Sequence, residues 1–338
     1  MGTAQMLCWN KEVFFVKCSL RIPALLAAGA LIAAVLLPAA LAEEATGAPV
    51  AQDLSFSTYK NTAYTGRFSA LDPEGELLTY QLVSKPARGA ITMPEAGSDT
   101  FVYTPYENKT GKDSFTYVAI DASGNTSQSA TVSLRIEKPD TKVTYADLDG
   151  HTAANAAIRL AEEGLFVGEC LGGTYFFQPD APMERSEFVA LLAQATGLEA
   201  LEDVTATGFA DDDAIGDWAR PYVASALKAG LVQGTLDETG QAVFLPDASI
   251  TWAEASVLVD RALQITDVAQ PTLGVDLSAA PVWAAQSGAN LESVGLLEAS
   301  SDGTLTLSGS LTRGEAAQLL CGALEVMDQR EKSFWPFW

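Results

Sequence analysis

Residues 209–254 run FADDDAIGDWARPYVASALKAGLVQGTLDETGQAVFLPDASITWAE. Within them Phe209-Ala210-Asp211 leads to Trp218-Ala219, then Gly230-Leu231 and Gly234, then Phe244-Leu245-Pro246, then Ile250-Thr251-Trp252-Ala253-Glu254. The layout recurs downstream as Asp276, Trp283-Ala284, Gly295-Leu296 and Leu311-Thr312-Arg313-Gly314-Glu315. Upstream, Ala153, Ala157, Leu160 and Ala161 mark one apolar face at helical spacing, and Gly164-Leu165 marks a helix stop. Phe188, Leu191, Leu192 and Ala195 then mark a second helix, ended by Gly197. Trp218 to Gly230 and Trp283 to Gly295 are both twelve positions apart, while Phe177 to Met183, Phe244 to Ile250 and Leu305 to Leu311 are each six apart. Three copies at a period of roughly 65 residues predict one helix–loop–helix unit used three times, each too small to bury a core alone.

Ahead of these copies the period shortens to two. Thr131-Val132-Ser133-Leu134-Arg135-Ile136 alternates as a half-buried strand does, and Tyr80, Leu82 and Ile91 alternate with polar neighbours. Phe101-Val102-Tyr103 and Phe115-Thr116-Tyr117-Val118 are aromatic and β-branched. Turn chemistry punctuates them at Asp72-Pro73-Glu74-Gly75, Lys85-Pro86, Arg88-Gly89 and Asp121-Ala122-Ser123-Gly124-Asn125. Short strands separated in this way over residues 49–137 predict an antiparallel β-sandwich. Lys138-Pro139-Asp140 opens a linker over 138–142.

The run from Leu71-Asp72-Pro73-Glu74-Gly75 through Leu78-Thr79-Tyr80, Phe101-Val102-Tyr103-Thr104-Pro105 and Gly111-Lys112-Asp113-Ser114-Phe115-Thr116-Tyr117 resembles the bacterial cadherin-like or Ig-like repeats of surface proteins. Some of those use acidic turns for calcium, so the resemblance makes Asp72, Glu74 and Asp121 candidates. No second repeat offers to share an ion that wants about 6–8 oxygens, so the expectation is that these acids only initiate turns and no metal is held.

Tyr145-x-Asp147, Gly164-Leu165-x-x-Gly168, Phe177-x-Pro179 and Arg185-Ser186-Glu187, with the matching elements of the later copies, resemble the S-layer homology (SLH) family. The resemblance covers about residues 143–327, as repeats at 143–200, 205–268 and a degenerate 272–327, where Leu305 and Leu307 replace Phe-x-Pro. It implies an all-α pseudo-threefold assembly behind the all-β Ig-like sandwich, with ligand grooves between repeats. It also implies non-covalent anchoring to cell-wall polysaccharide or peptidoglycan, often through a pyruvylated secondary polymer. In the family the Arg of a Thr-Arg-Ala-Glu motif faces the groove, which makes Arg185 and Arg313 ligand candidates. A guanidinium at a helix start suits a carboxylate, since its planar fork and the free helix N–H groups both favour anions. Trp252 stands where the second copy should have Arg, and either stacks on a sugar face or plugs a lost groove, with plugging preferred. The motif's Glu is expected to cap its helix, and Trp218 and Trp283 are expected to be core pegs.

At the N-terminus Lys11, Lys17 and Arg21 precede an apolar run from Ala24 to Leu37, and Ala40-Leu41-Ala42 supplies a small-x-small exit before Glu43. Residues 1–42 therefore predict a secretory signal, followed by a linker over 43–48 and no membrane attachment once it is cleaved. Removing its three bases and Glu12 from the 20 bases and 43 acids leaves 17 and 42, a formal charge of −25. That balance excludes nucleic acid as a partner, because such affinity rests on Lys and Arg neutralising phosphates. Of four cysteines only Cys170 and Cys321 lie beyond the leader, too few for a disulfide scaffold.

Asp211-Asp212-Asp213 precedes a helix whose dipole favours acids without any ion. His151 is the single histidine and has no nucleophile or metal context around it. No catalytic set and no cofactor is expected. The rival readings are a wall-glycan enzyme with a carboxylate pair, or an adhesin binding through the sandwich. The aromatic tail over 328–338, ending Phe334-Trp335-Pro336-Phe337-Trp338, has no assigned role.

Overall fold

In the sandwich, alternation becomes strands whose inward residues are mostly aromatic. The strands are β1 (Val50–Ala51), β2 (Leu54–Tyr59), β3 (Tyr64–Arg67), β4 (Ala70–Leu71), β5 (Thr79–Ser84), β6 (Gly89–Thr92), β7 (Thr100–Pro105), β8 (Gly111–Ile120) and β9 (Ala130–Glu137). One sheet has the order β2-β9-β8-β5, the facing one β3-β7-β6, and β1 pairs with β4. In β9 burial alternates strictly, with Val132, Leu134 and Ile136 inward. Phe68, Tyr80, Phe101, Tyr103, Phe115 and Tyr117 complete the core. Buried tyrosines need partners for their hydroxyls. Tyr103 donates to Asp113 Oδ2 at 2.9 Å, and the Tyr117 hydroxyl lies 2.6 and 2.7 Å from the carbonyls of Gln52 and Ser69. The expected antiparallel arrangement holds for every pair except one: β2 runs parallel to β9, with Leu54 opposite Val132. Alternation decides which face a residue takes, not which way its strand runs.

The computed structural model describes residues 47–265, 275–300 and 303–334, with side chains to Arg330. The expected leader, most of the 43–48 linker, and Trp335 to Trp338 of the tail lie outside the described residues.

Helices α1 (Ala154–Glu162) and α2 (Arg185–Ala195) flank a hairpin of β10 (Glu169–Leu171) and β11 (Thr174–Phe176). Next come α3 (Arg220–Lys228) and α4 (Trp252–Leu263) around β12 (Thr235–Leu236) and β13 (Ala242–Val243). Last are α5 (Val282–Ser293) and α6 (Arg313–Phe334), with no strand between them among the described residues. The Gly-Leu stops are real. At Gly164, Gly230 and Gly295 the backbone turns left-handed, at φ of 68, 74 and 75°. The following Leu N–H then bonds back to Leu160, Ala226 and Leu291, which satisfies an orphan carbonyl at each helix end.

The six-residue spacing pairs two buried groups each time, and its second members meet. Met183 N–H donates to Leu311 O, Leu311 N–H to Ile250 O, and Ile250 N–H to Met183 O, all at 2.9 Å. Around this closed cycle α2, α4 and α6 touch one another, while α1 packs on α6, α3 on α2 and α5 on α4. One hydrophobic core runs through all of it.

The expectation for the two tryptophans fails here. Trp218 and Trp283 are 56% and 61% exposed, whereas the alanines after them, Ala219 and Ala284, are fully buried. One residue is about 100° of helical phase, so the small residue takes the core position and the ring swings outward. The last helix also continues past residue 327 to Phe334, into the segment read as a tail. Cys170 and Cys321 are both free, and burial pushes the Cys321 thiol up to about 12.

The sandwich is locked onto the helices by Asn155 of α1. Its Oδ1 accepts from Tyr59 N–H at 3.2 Å and Thr58 Oγ1 at 2.9 Å, and its Nδ2 donates to Ala63 O at 2.8 Å. Tyr59 also donates to Glu162 Oε2 at 2.5 Å. Burial, then this bond, raises the Tyr59 hydroxyl above its ordinary range.

Candidate functional site

Each of α2, α4 and α6 begins at the second residue of the four-residue motif singled out in the sequence. At α4 the Thr251 hydroxyl accepts from Glu254 N–H, and Glu254 Oε2 accepts from Thr251 N–H at 3.0 Å, a complete capping box. Thr312 and Glu315 make the same bonds at α6, at 3.2 and 2.8 Å. At α2 the N-cap is Glu184, which makes no cap bond. Burial first, then Glu187 and Asp247, raises its carboxyl above the usual range.

The motif's Glu does more than cap, which the sequence reading missed. Glu254 Oε1 accepts from Arg185 Nη2 at 2.7 Å, and Glu187 Oε1 lies 3.5 Å from Arg313 Nη2. Each arginine thus pairs with the Glu of another motif, 185 with 254 and 313 with 187. By the same order position 252 faces Glu315, but there the residue is Trp.

Arg185 lines a cavity of about 300 Å³ together with Glu254, Arg261, Val232, Phe244 and Trp283. Its side chain is 18% exposed, and Arg185 Nε is buried with no hydrogen-bond partner. Arg261 Nη1 donates to Leu231 O at 2.9 Å. Arg261 and Trp283 were not foreseen as lining residues. Arg313 is more enclosed, at 11% exposed, with its guanidinium carbon 4.8 Å over the Phe166 ring and its Nε also unpartnered. Trp252 lines a second cavity, of about 440 Å³, with Leu296, Leu297, Glu298, Glu315 and Gln318.

Asp72, Asp121, Asp147, Asp211 and Asp212 have structural partners. Asp211 accepts from Phe244 and Leu245 N–H at 2.8 and 2.7 Å, as Asp147 does from Phe177 and Gln178 at 2.9 and 2.7 Å. Gln178 and Leu245 have φ of 58 and 57°, so each carboxylate holds a left-handed turn in place. This is a loop brace, not the helix-dipole role expected for Asp211. Asp212 is held below the usual carboxylate range by Thr207 first, with Arg220 contributing. In the sandwich Asp72 Oδ2 accepts from Glu74 and Glu76 N–H at 3.1 and 2.7 Å, and Asp121 from Asn125 N–H at 2.7 Å, while Glu74 is exposed. Among the described residues no three His, Cys, Asp or Glu gather as a metal site. His151 Nδ1 accepts from Ala153 N–H at 3.0 Å.

A sheet-built Ig-like domain running into a helical region defines a multidomain chain. Residues 46–135 match the family model for the bacterial Ig domain and residues 208–256 that for the S-layer homology domain, and the chain carries both. It is similar to an amylopullulanase of Thermoanaerobacterium thermosulfurigenes, 26% identical over 72% of this chain and 13% of that protein. It is also similar to a cellulosome-anchoring protein of Acetivibrio thermocellus, 34% identical over 37% of this chain and 27% of that one. A surface-layer 125 kDa protein of Lysinibacillus sphaericus is 29% identical over 33% of this chain and 9% of its own length. The chain thus spans at most about a quarter of these relatives.

Proposed function

We propose that this chain is an exported, non-catalytic surface protein held non-covalently on cell-wall polysaccharide or peptidoglycan by three SLH repeats, at 143–200, 205–268 and 272–327, with the sandwich at 49–137 presented beside them. The cyclic bonds among Met183, Ile250 and Leu311, with the matching helix contacts, support a pseudo-threefold arrangement of the repeats. The observation that carries the reading is the Arg185 cavity. The Arg185 guanidinium, whose buried Nε–H has no hydrogen-bond partner, lines a cleft at a helix start beside an exposed indole. Such a cleft accepts an anionic substituent on the fork while a sugar ring stacks on Trp283. Arg313 offers the same chemistry on a more enclosed guanidinium. The relatives named for anchoring and for the surface layer fit this role.

The test is retention on purified wall sacculi, pelleted with the mature protein. Arg185→Ala weakens binding by about 2–5 kcal/mol, the range for truncating one partner of a buried charged pair, and Arg185→Lys weakens it less, since Lys keeps the charge but loses the fork. Full recovery of wild type in the supernatant rejects anchoring. Normal retention of folded Arg185→Ala and Arg313→Ala rejects these residues.

A further inference from the structure

The two cavities occupy matching places at successive motif starts, yet their charges are opposite. The first presents two guanidinium groups, Arg185 and Arg261, with Glu254 between its cap and Arg185. The second has Glu298 and Glu315 and no basic lining residue. Glu298 is met from the sandwich, where Arg67 Nε lies 3.2 Å from its Oε2. Glu315 is not met. Its Oε2 is spent on Thr312, and the motif position that supplies Arg185 to Glu254 Oε1 is occupied in the second copy by Trp252, which lines the same cavity as Glu315.

We propose that this second cavity binds a sugar carrying a free primary amine, its ammonium pairing with Glu315 and its ring lying against Trp252. Four observations converge on that ligand. A carboxylate oxygen whose counterpart in the neighbouring motif holds a guanidinium lacks its cation here. A half-buried indole offers both a stacking face and a cation–π surface. Leu296 and Leu297 make the floor apolar, as a pyranose face requires. Gln318 and Gly322 also line the adjoining cleft of about 520 Å³ between sandwich and helices, where Glu137, Glu325 and Asp328 add negative charge. The single base there, Arg159, is already 2.8 Å from Glu163. The dipole at the start of α6 opposes a cation, but the first turn of that helix carries the charge of Glu315 itself. A neutral sugar gains only hydroxyl hydrogen bonds from Glu315 and an acidic one is repelled, so the two cavities favour different substituents. This assignment rests on the proposed wall-binding role, and retention of Arg185→Ala on sacculi tests that role separately.

The test titrates the full mature chain with glucosamine trimer and with N-acetylglucosamine trimer, by calorimetry at pH 6 and 150 mM salt. The amine trimer binds, and the acetylated one at least tenfold more weakly. Glu315→Gln, which retains the cap, lowers amine-trimer affinity at least tenfold. Trp252→Arg places a guanidinium against Glu315 and abolishes it, so a poorly folded Glu315 variant does not leave the question open. Glu238→Gln, on the exposed turn joining β12 and β13, removes the same charge without effect. Equal affinity for both trimers, no binding of the amine trimer, or equal losses from Glu315→Gln and Glu238→Gln overturns the proposal. Wall retention lost in Arg185→Ala alongside any of those results leaves anchoring intact and rejects only the amine site.

Discussion

The sandwich and the helical part bury their cores with different residues. The sandwich relies on a few rings: Phe68 lies tilted against Phe101 and Tyr117, with ring centroids 4.7 and 4.4 Å away, and Phe101 meets Phe115 edge-on at 5.5 Å. The helical part relies on many small contacts. Alanines such as Ala157, Ala219, Ala255 and Ala284 are fully buried, and the three loops through Met183, Ile250 and Leu311 tie the helix pairs together. Stability in the first is concentrated, and in the second it is distributed and depends on closure.

Phe101→Ala is the hardest blow to that contrast. It costs about 3–5 kcal/mol, the range for truncating a core aromatic, and the loss falls on the sandwich. Urea unfolding then shows an early β-sheet transition with the helical ellipticity at 222 nm unchanged. Leu311→Ala costs about 2–5 kcal/mol on the same scale. Because the core is continuous, ellipticity falls in one transition, and stepwise loss of helix pairs would contradict a closed arrangement. Asn155→Ala leaves Tyr59 N–H and Ala63 O without their bridge, at about 1–3 kcal/mol. It separates the sandwich and helical transitions in scanning calorimetry, whereas an unchanged single peak denies the lock. The smallest effect is on acid stability. The Asp212 carboxyl is depressed in the folded state, so its contribution is present above the ordinary carboxylate pKa near 4 and is lost as pH falls through the native value. Asp212→Asn flattens the acid limb of the stability curve, and an unaltered limb removes Asp212 from it.

Much of this fold could be read in the chain. The six-residue spacing worked because both of its ends are buried and a fixed turn joins them, and the Gly-Leu stops worked because only glycine adopts φ near 70° without cost. The tryptophans were misread because hydrophobicity does not set helical phase when a Trp-Ala pair offers the core two candidates one residue apart. Strand direction in β2 leaves no trace in alternation. At the site, Arg185, Arg313 and Trp252 were visible as one position in three motifs. Their Glu partners were not, since pairing crosses from one motif to another, 69 residues away for Arg185 and Glu254. A carboxylate already explained by a cap gives no sign of a second partner.

The cyclic closure has a consequence for how fast the molecule forms. Helical proteins usually fold quickly because their contacts are local in sequence. Here α1 packs on α6, whose start lies 159 residues after the start of α1, and Met183 bonds to Leu311. The helices can form early, but the ring cannot shut until the last of them finds the first. Refolding from urea should therefore proceed at the pace of a β-rich protein, with helical signal in place well before the core becomes dry.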